Sequence, residues 1–266
     1  MNQKNLDYLK EGLKYLGFGE GLNDKLAENI SKKPVQFQLK TENQYGNDKV
    51  NYVLDFKKGS ESDMYFFNRY SATLRNESGE ERTQSFYPKK NTGITAKEAY
   101  NLLSGRAVNK DLTNAEGQPY NAWLQLDPSQ KEANGNLRYK TIHEAYGYNL
   151  EKELQRYPIK ELNDITSKER LIQSLERGNL HQVTFAKGDK EEKMHVEANP
   201  LFKTLNIYDE NRKKVFHENR KQPENNVEIR QAEDEKKRTG REDLNRESGD
   251  TAERKQKAGK SKGMKI

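Results

Sequence analysis

One stretch of this chain sets a row of aromatic side chains beside an arginine. In MYFFNRYSATL, residues 64–74, Tyr65, Phe66, Phe67 and Tyr70 sit beside Arg69. An aromatic row on an open sheet can stack bases while an arginine, Arg69 or Arg82, holds phosphates. The same row can also be the apolar face of a half-buried strand. Strict alternation places Tyr65 and Phe67 on one face, and Met64, Phe66 and Tyr70 on the other. Trp123, the only tryptophan, is the second candidate. Exposed, it would be a hot spot for a protein partner. Buried, it belongs to a core, with its strand covered on both faces or Leu124 and Leu126 packed under the next unit.

Acid–base or metal-assisted hydrolysis needs converging carboxylates. Asp48, Asp55, Asp63, Asp111 and Asp127 fall at strand ends, and Asp55 with Asp127 is the pair to inspect. No D-x-D cluster and no G-x-S-x-G occurs. The histidines are His143, His181, His195 and His217, and no pair has the spacing of a local zinc site. His181 and His195 can face each other only across a hairpin. There is no cysteine, which excludes a disulfide scaffold, a thiolate metal site and a cysteine nucleophile. Gly17-Phe18-Gly19-Glu20-Gly21 follows a helix and has no lysine at useful spacing. It reads as a helix cap and turn, not a phosphate loop. No cofactor and no metal is expected, and no catalytic residue is assigned.

The elements that must position these groups are legible. Leu6, Leu9, Leu13 and Leu16 share one helical face, and a second helix runs from Leu22 to Ser31. Strands follow around Val35–Leu39, Val50–Phe56, Met64–Leu74 and Arg82–Tyr87. Thr95 and Glu98 form a capping box ahead of Ala99, Leu102 and Leu103, and Gly105 closes that helix. Strands at Val108–Leu112 and Tyr120–Asp127 flank a turn, and another lies near Leu137–Ile142. A short helix at Leu150–Leu154 precedes a restart at Ile165, where Thr166 and Glu169 repeat the cap with one change. Gly178 closes this helix, and strands containing Val183, Met194 and Leu205 follow. The pattern predicts an α+β fold of small antiparallel sheets, each with short packed helices. They form two or three related helix-plus-meander units with a disordered C-terminal tail. The expected units are residues 1–92, 93–163 and 164–216, with the tail at 217–266.

Composition supports this division. Hydrophobic residues make up 31% of 266 residues and charged ones 34%. Residues 211–266 hold 17 basic and 11 acidic side chains, while residues 1–210 hold 31 of each. The net charge of +6 therefore belongs to the tail, and a neutral folded part argues against a large phosphate footprint. Lys255, Lys257, Lys260, Lys262 and Lys265 are spaced by small or polar residues. They can bind polyanions with strong salt dependence, or simply keep the chain soluble. No long apolar run and no apolar leader is evident, so a cytoplasmic protein without membrane contact is expected.

The runs MYFFNRY (64–70), EAYNLLSGRAVNKDLTN (98–114), YNAWLQLD (120–127), YGYNLEKELQRYPIKEL (146–162) and VEANPLFKTLNIYD (196–209) resemble a family of uncharacterised proteins. Its members are carried by conjugative transposons and related mobile elements of Bacteroides-type bacteria. The resemblance spans residues 1 to about 216 and implies a setting without an activity or site residues. Together these readings point to a non-catalytic accessory protein of a mobile genetic element. It would act through a protein partner, with nucleic acid bound weakly by the tail. The alternative is a DNA-processing or DNA-modulating enzyme whose carboxylates meet only in the fold.

Overall fold

Three helices in this chain end alike. Lys33, Gly105 and Gly178 each take a left-handed backbone, with φ of 54°, 83° and 75°. A strand starts three residues after each, at Gln36, Val108 and His181. Ile30, Leu102 and Leu175, three residues before these left-handed positions, are all buried. A left-handed residue past the last turn satisfies free carbonyls and reverses the chain. Each helix is thereby laid against the meander that follows it.

The computed structural model describes residues 2–89, 92–188 and 190–215, all within one compact unit, Met1–Glu218. The expected disordered tail, its five lysines (Lys255, Lys257, Lys260, Lys262 and Lys265) and His217 lie outside the described residues. Helices α1 (Gln3–Tyr15) and α2 (Asn23–Ser31) precede a sheet of β1 (Gln36–Tyr45), β2 (Asp48–Lys58), β3 (Tyr65–Arg75) and β4 (Glu81–Phe86). Helix α3 (Ala96–Leu103) leads to β5 (Val108–Thr113), β6 (Pro119–Lys131) and β7 (Leu137–His143). Helices α4 (Leu150–Leu154) and α5 (Ile165–Glu176) precede β8 (His181–Lys187), β9 (Lys190–Asn199), β10 (Thr204–Tyr208) and β11 (Lys214–Val215). Every sheet is an antiparallel meander in chain order. This is the α+β helix-plus-meander plan read from the sequence.

The first core lies between α1, α2, α3 and the inner face of the first sheet. Leu6, Leu9, Leu13 and Leu16 are buried as their spacing requires. Each such side chain contributes about 1.5–3 kcal/mol by leaving water. Gly17 and Gly19 take positive φ around Phe18, which packs edge-on against Tyr52 and Tyr70 at 5.4 and 5.2 Å. The glycine stretch is thus a helix stop that aims a ring. The Tyr52 and Tyr70 hydroxyls donate to the carbonyls of Ala96 and Ile94 at 2.8 and 2.5 Å, pinning the start of α3 to the sheet.

Sheet β5–β7 is covered on both faces. Val108, Leu124 and Leu126 join the first core, while Ala107, Trp123 and Ile142 join the second. Adjacent Trp123 and Leu124 point to opposite faces, and each face meets a different core. Of the two readings of Trp123, the doubly covered strand is the one observed. Under the middle sheet, Lys110 pairs with Glu98 at 3.2 Å. Glu98 also closes the capping box on Thr95.

Two local readings need correction. The N-cap of α5 is Asp164, whose carboxylate accepts from the Ser167 amide at 2.8 Å, not Thr166. Asp is as good a cap as Thr, and it stands one turn ahead of Lys168. Ile165 is then the first helical residue and is 77% exposed. Val35 precedes β1 and is likewise exposed.

Candidate binding face

The outward face of the first sheet is set by one extra residue. Asp55 pairs with Arg69 and Phe56 with Phe67, so Asn68 is left over and β3 bulges there. A bulge inserts one residue into one strand and reverses the alternation beyond it. Tyr65, Phe67 and Tyr70 therefore all turn inward, contrary to strict parity. Tyr65 is buried and donates its hydroxyl to the Pro34 carbonyl at 2.7 Å. Phe67 stacks on Phe56 at 4.9 Å and meets Phe18 edge-on at 6.3 Å. Neither ring can stack a base. Trp123 is buried too, edge-on to Tyr148 at 5.6 Å, and offers no surface hot spot.

Arg69 alone among these candidates stands on the open side. Its Nε donates to Asp55 Oδ2 at 2.7 Å, and Gln38 donates to Asp55 Oδ1 at 2.6 Å. The hydrogen bond to Asp55, then its charge, holds the guanidinium above its ordinary pKa. Alternation from the pair Tyr70–Phe86 puts Tyr87 beside Arg69, close enough to act on its charge. On the row before, Phe66 faces outward opposite Lys57. Phe66 and Tyr87 are 48% and 54% exposed. Strict alternation alone puts Phe66 on the face opposite Tyr65 without showing which face is wet, and Tyr87 reads only as the end of a strand. Further along, Ser71–Ser85 and Thr73–Thr83 form a hydroxyl ladder at 3.1 and 2.9 Å. Lys40, Lys57 and Arg75 border it without an ion pair among the described residues, while Lys49 reaches Glu42 at 3.7 Å.

The acidic candidates do not converge. Asp55 is engaged by Gln38 and Arg69. Asp127 accepts from Ser129 at 2.6 Å and from Lys140 at 3.3 Å. The Ser129 hydroxyl and amide, then Lys140, hold Asp127 below the usual carboxylate range. A pair the sequence did not suggest is Glu176 with Asp111. Burial and then the Asp111 charge push the Glu176 carboxyl up. His181 and His195 do not face each other. The register sets His181 opposite Val196 and His195 opposite Gln182, so they lie on opposite faces. His181 Nδ1 meets Ser174 Oγ at 2.8 Å, and burial lowers its pKa. Among the described residues no three acids or histidines are grouped to hold a metal, and no helix is long and apolar enough to cross a membrane.

No protein-family model, curated protein or solved structure matches this chain.

Proposed function

We propose that this chain is a non-catalytic accessory protein of a mobile genetic element, and that it works by binding single-stranded nucleic acid weakly. Its contact surface is the outward face of β1–β4, with the basic tail adding polyanion attraction. The observation that carries the reading is the placement of Phe66, Arg69 and Tyr87 on one open sheet face, with Tyr87 beside Arg69 and Phe66 on the next row. Two exposed rings on the same face offer stacking, and the Arg69 donors that Asp55 does not use offer phosphate contact. Lys40, Lys57 and Arg75 extend the positive border. The mobile-element setting comes from the family resemblance alone.

The test is fluorescence anisotropy with labelled single-stranded DNA and RNA, using the full chain. Stacking on an exposed ring is worth about 1–3 kcal/mol per base. Phe66→Ala combined with Tyr87→Ala should weaken binding about tenfold or more. Replacing Lys255, Lys257, Lys260, Lys262 and Lys265 by glutamine should instead flatten the salt dependence. Unchanged affinity in the double ring variant would remove the sheet face from the reading. No binding at low salt would leave a protein as the partner.

A further inference from the structure

A second charged surface lies at a corner that the sheet face does not use. Tyr45, at the end of β1, and Tyr100, on α3, stack with centroids 4.3 Å apart and planes 18° from parallel. The Lys97 ammonium lies 4.1 Å from the Tyr45 centroid and 4.6 Å from that of Tyr100. The Arg106 guanidinium lies 4.8 Å from the same Tyr100 centroid. Arg106 is held in place by neutral acceptors, its Nε on the Gly178 carbonyl at 2.9 Å and its Nη2 on Asn101 Oδ1 at 2.7 Å. Next to Tyr45, Gly46 leaves room for Arg212, whose Nη1 would stand 3.2 Å from any Cβ placed there.

Lys97, Arg106 and Arg212 form no ion pair with a carboxylate among the described residues. The acids near this corner are engaged by phenols: Asp48 accepts from the Tyr100 hydroxyl at 2.9 Å, and Glu197 accepts at 2.8 Å from Tyr208, which also feels the Arg106 charge. The exposed Lys97 side chain brings its amine against the rings. Desolvation, then the Arg106 charge, lowers its pKa to about 8. The ring faces attract an ammonium and work against that fall. Two neighbouring cations repel each other, and an anion placed between them would relieve this. The tyrosine rings already cover one another, so the corner selects for charge and not for a flat ring.

We propose that Lys97 and Arg106, with Arg212 at the rim, bind a phosphate-class dianion, either free phosphate or the monoester of a small molecule. The fixed guanidinium keeps for a phosphate oxygen the N–H donors that Gly178 and Asn101 do not use, and the lysine supplies a point charge. This site is independent of the sheet face.

Amine labelling tests it. The full chain is treated with acetic anhydride at neutral pH in chloride, inorganic phosphate or glycerol phosphate at matched ionic strength. Modification is then mapped by mass spectrometry. A bound dianion that raises the Lys97 pKa by one unit cuts its free-amine fraction, and hence its labelling, about tenfold. Lys4, exposed on α1 and without an ion pair among the described residues, should label equally in all three. Protection by both phosphates supports a site for the group itself, and protection by glycerol phosphate alone assigns it to the monoester. Equal labelling of Lys97 in all three salts overturns the proposal, as does equal protection of Lys4. Calorimetry with inorganic phosphate gives a second reading. Binding heat in the wild type should vanish in Lys97→Gln, a change at an exposed position, and heat that survives it also overturns the proposal.

Discussion

Asn101, on α3, donates from Nδ2 to the carbonyl of Arg177, just past the end of α5, at 2.6 Å. Nδ2 also reaches Asn179 Oδ1 at 2.9 Å, and its Oδ1 accepts from Arg106 at 2.7 Å. Asn101 is completely buried. One amide therefore ties the C-terminal ends of two helices from different helix-plus-meander copies. These two helix-plus-meander segments are joined where their helices stop.

Asn101→Ala should be among the more damaging polar truncations in this chain. It strips the Arg177 carbonyl and the Arg106 guanidinium of a partner in a buried setting. Leaving such groups unsatisfied costs about 1–3 kcal/mol. Urea denaturation should show that loss in the midpoint with an unchanged slope. A midpoint equal to wild type would mean that water replaces the amide at the junction.

Gly178 and Gly105 share a backbone conformation and differ in surroundings, which separates two effects. A Cβ at Gly178 would stand 2.6 Å from the Ala107 carbonyl oxygen, while one at Gly105 would meet nothing within 4 Å. Gly105→Ala should lose only the left-handed preference, about 1 kcal/mol. Gly178→Ala adds a backbone collision and should lose clearly more, about 2–4 kcal/mol. Equal melting temperatures for the two variants would show that Ala107 yields at no cost.

Most elements were legible because helical and strand periods are local. The leucines of α1, the Thr95–Glu98 cap and the alternation in β2 each declare themselves within a dozen residues. Strict alternation misplaces the inward and outward rings of β3 because parity survives only until a strand gains a residue. Asn68 carries no sign that it is the extra one. It becomes so through pairing with β2, as Asp55 meets Arg69 and Phe56 meets Phe67. The Lys97–Arg106 corner was out of reach for a similar reason. Its tyrosines come from elements more than fifty residues apart, and Arg106 is placed by Gly178 and Asn101.

Lys33 occupies the position that glycine fills after α3 and α5, with φ of 54°. A side chain in the left-handed region is strained, and glycine removes that strain while adding freedom to the unfolded chain. The strain term is the larger one. Lys33→Gly should therefore stabilise the protein by about 0.5–1 kcal/mol. Its melting temperature should rise by roughly 1–4 °C. A fall in calorimetric melting temperature would mean that the lysine side chain holds a contact stronger than its backbone strain.

Lys97 should make stability depend on pH in an unusual direction. Its folded pKa of about 8 lies below the ordinary lysine value of 10.5. Between these values the unfolded chain binds more protons than the native one, so stability rises with pH. The penalty for a charged Lys97 is fully present below pH 8 and fades as the pH approaches 10.5. Lys97→Met has no such penalty, and it removes the attraction between ammonium and rings at every pH where the lysine is charged. Tyrosines away from this corner are common to both proteins and cancel in the difference. Denaturation from pH 7 to 10 should show the wild type gaining stability relative to Lys97→Met above pH 8. Parallel profiles would mean that Lys97 titrates as a free lysine, with the ring attraction offsetting its desolvation and the Arg106 charge.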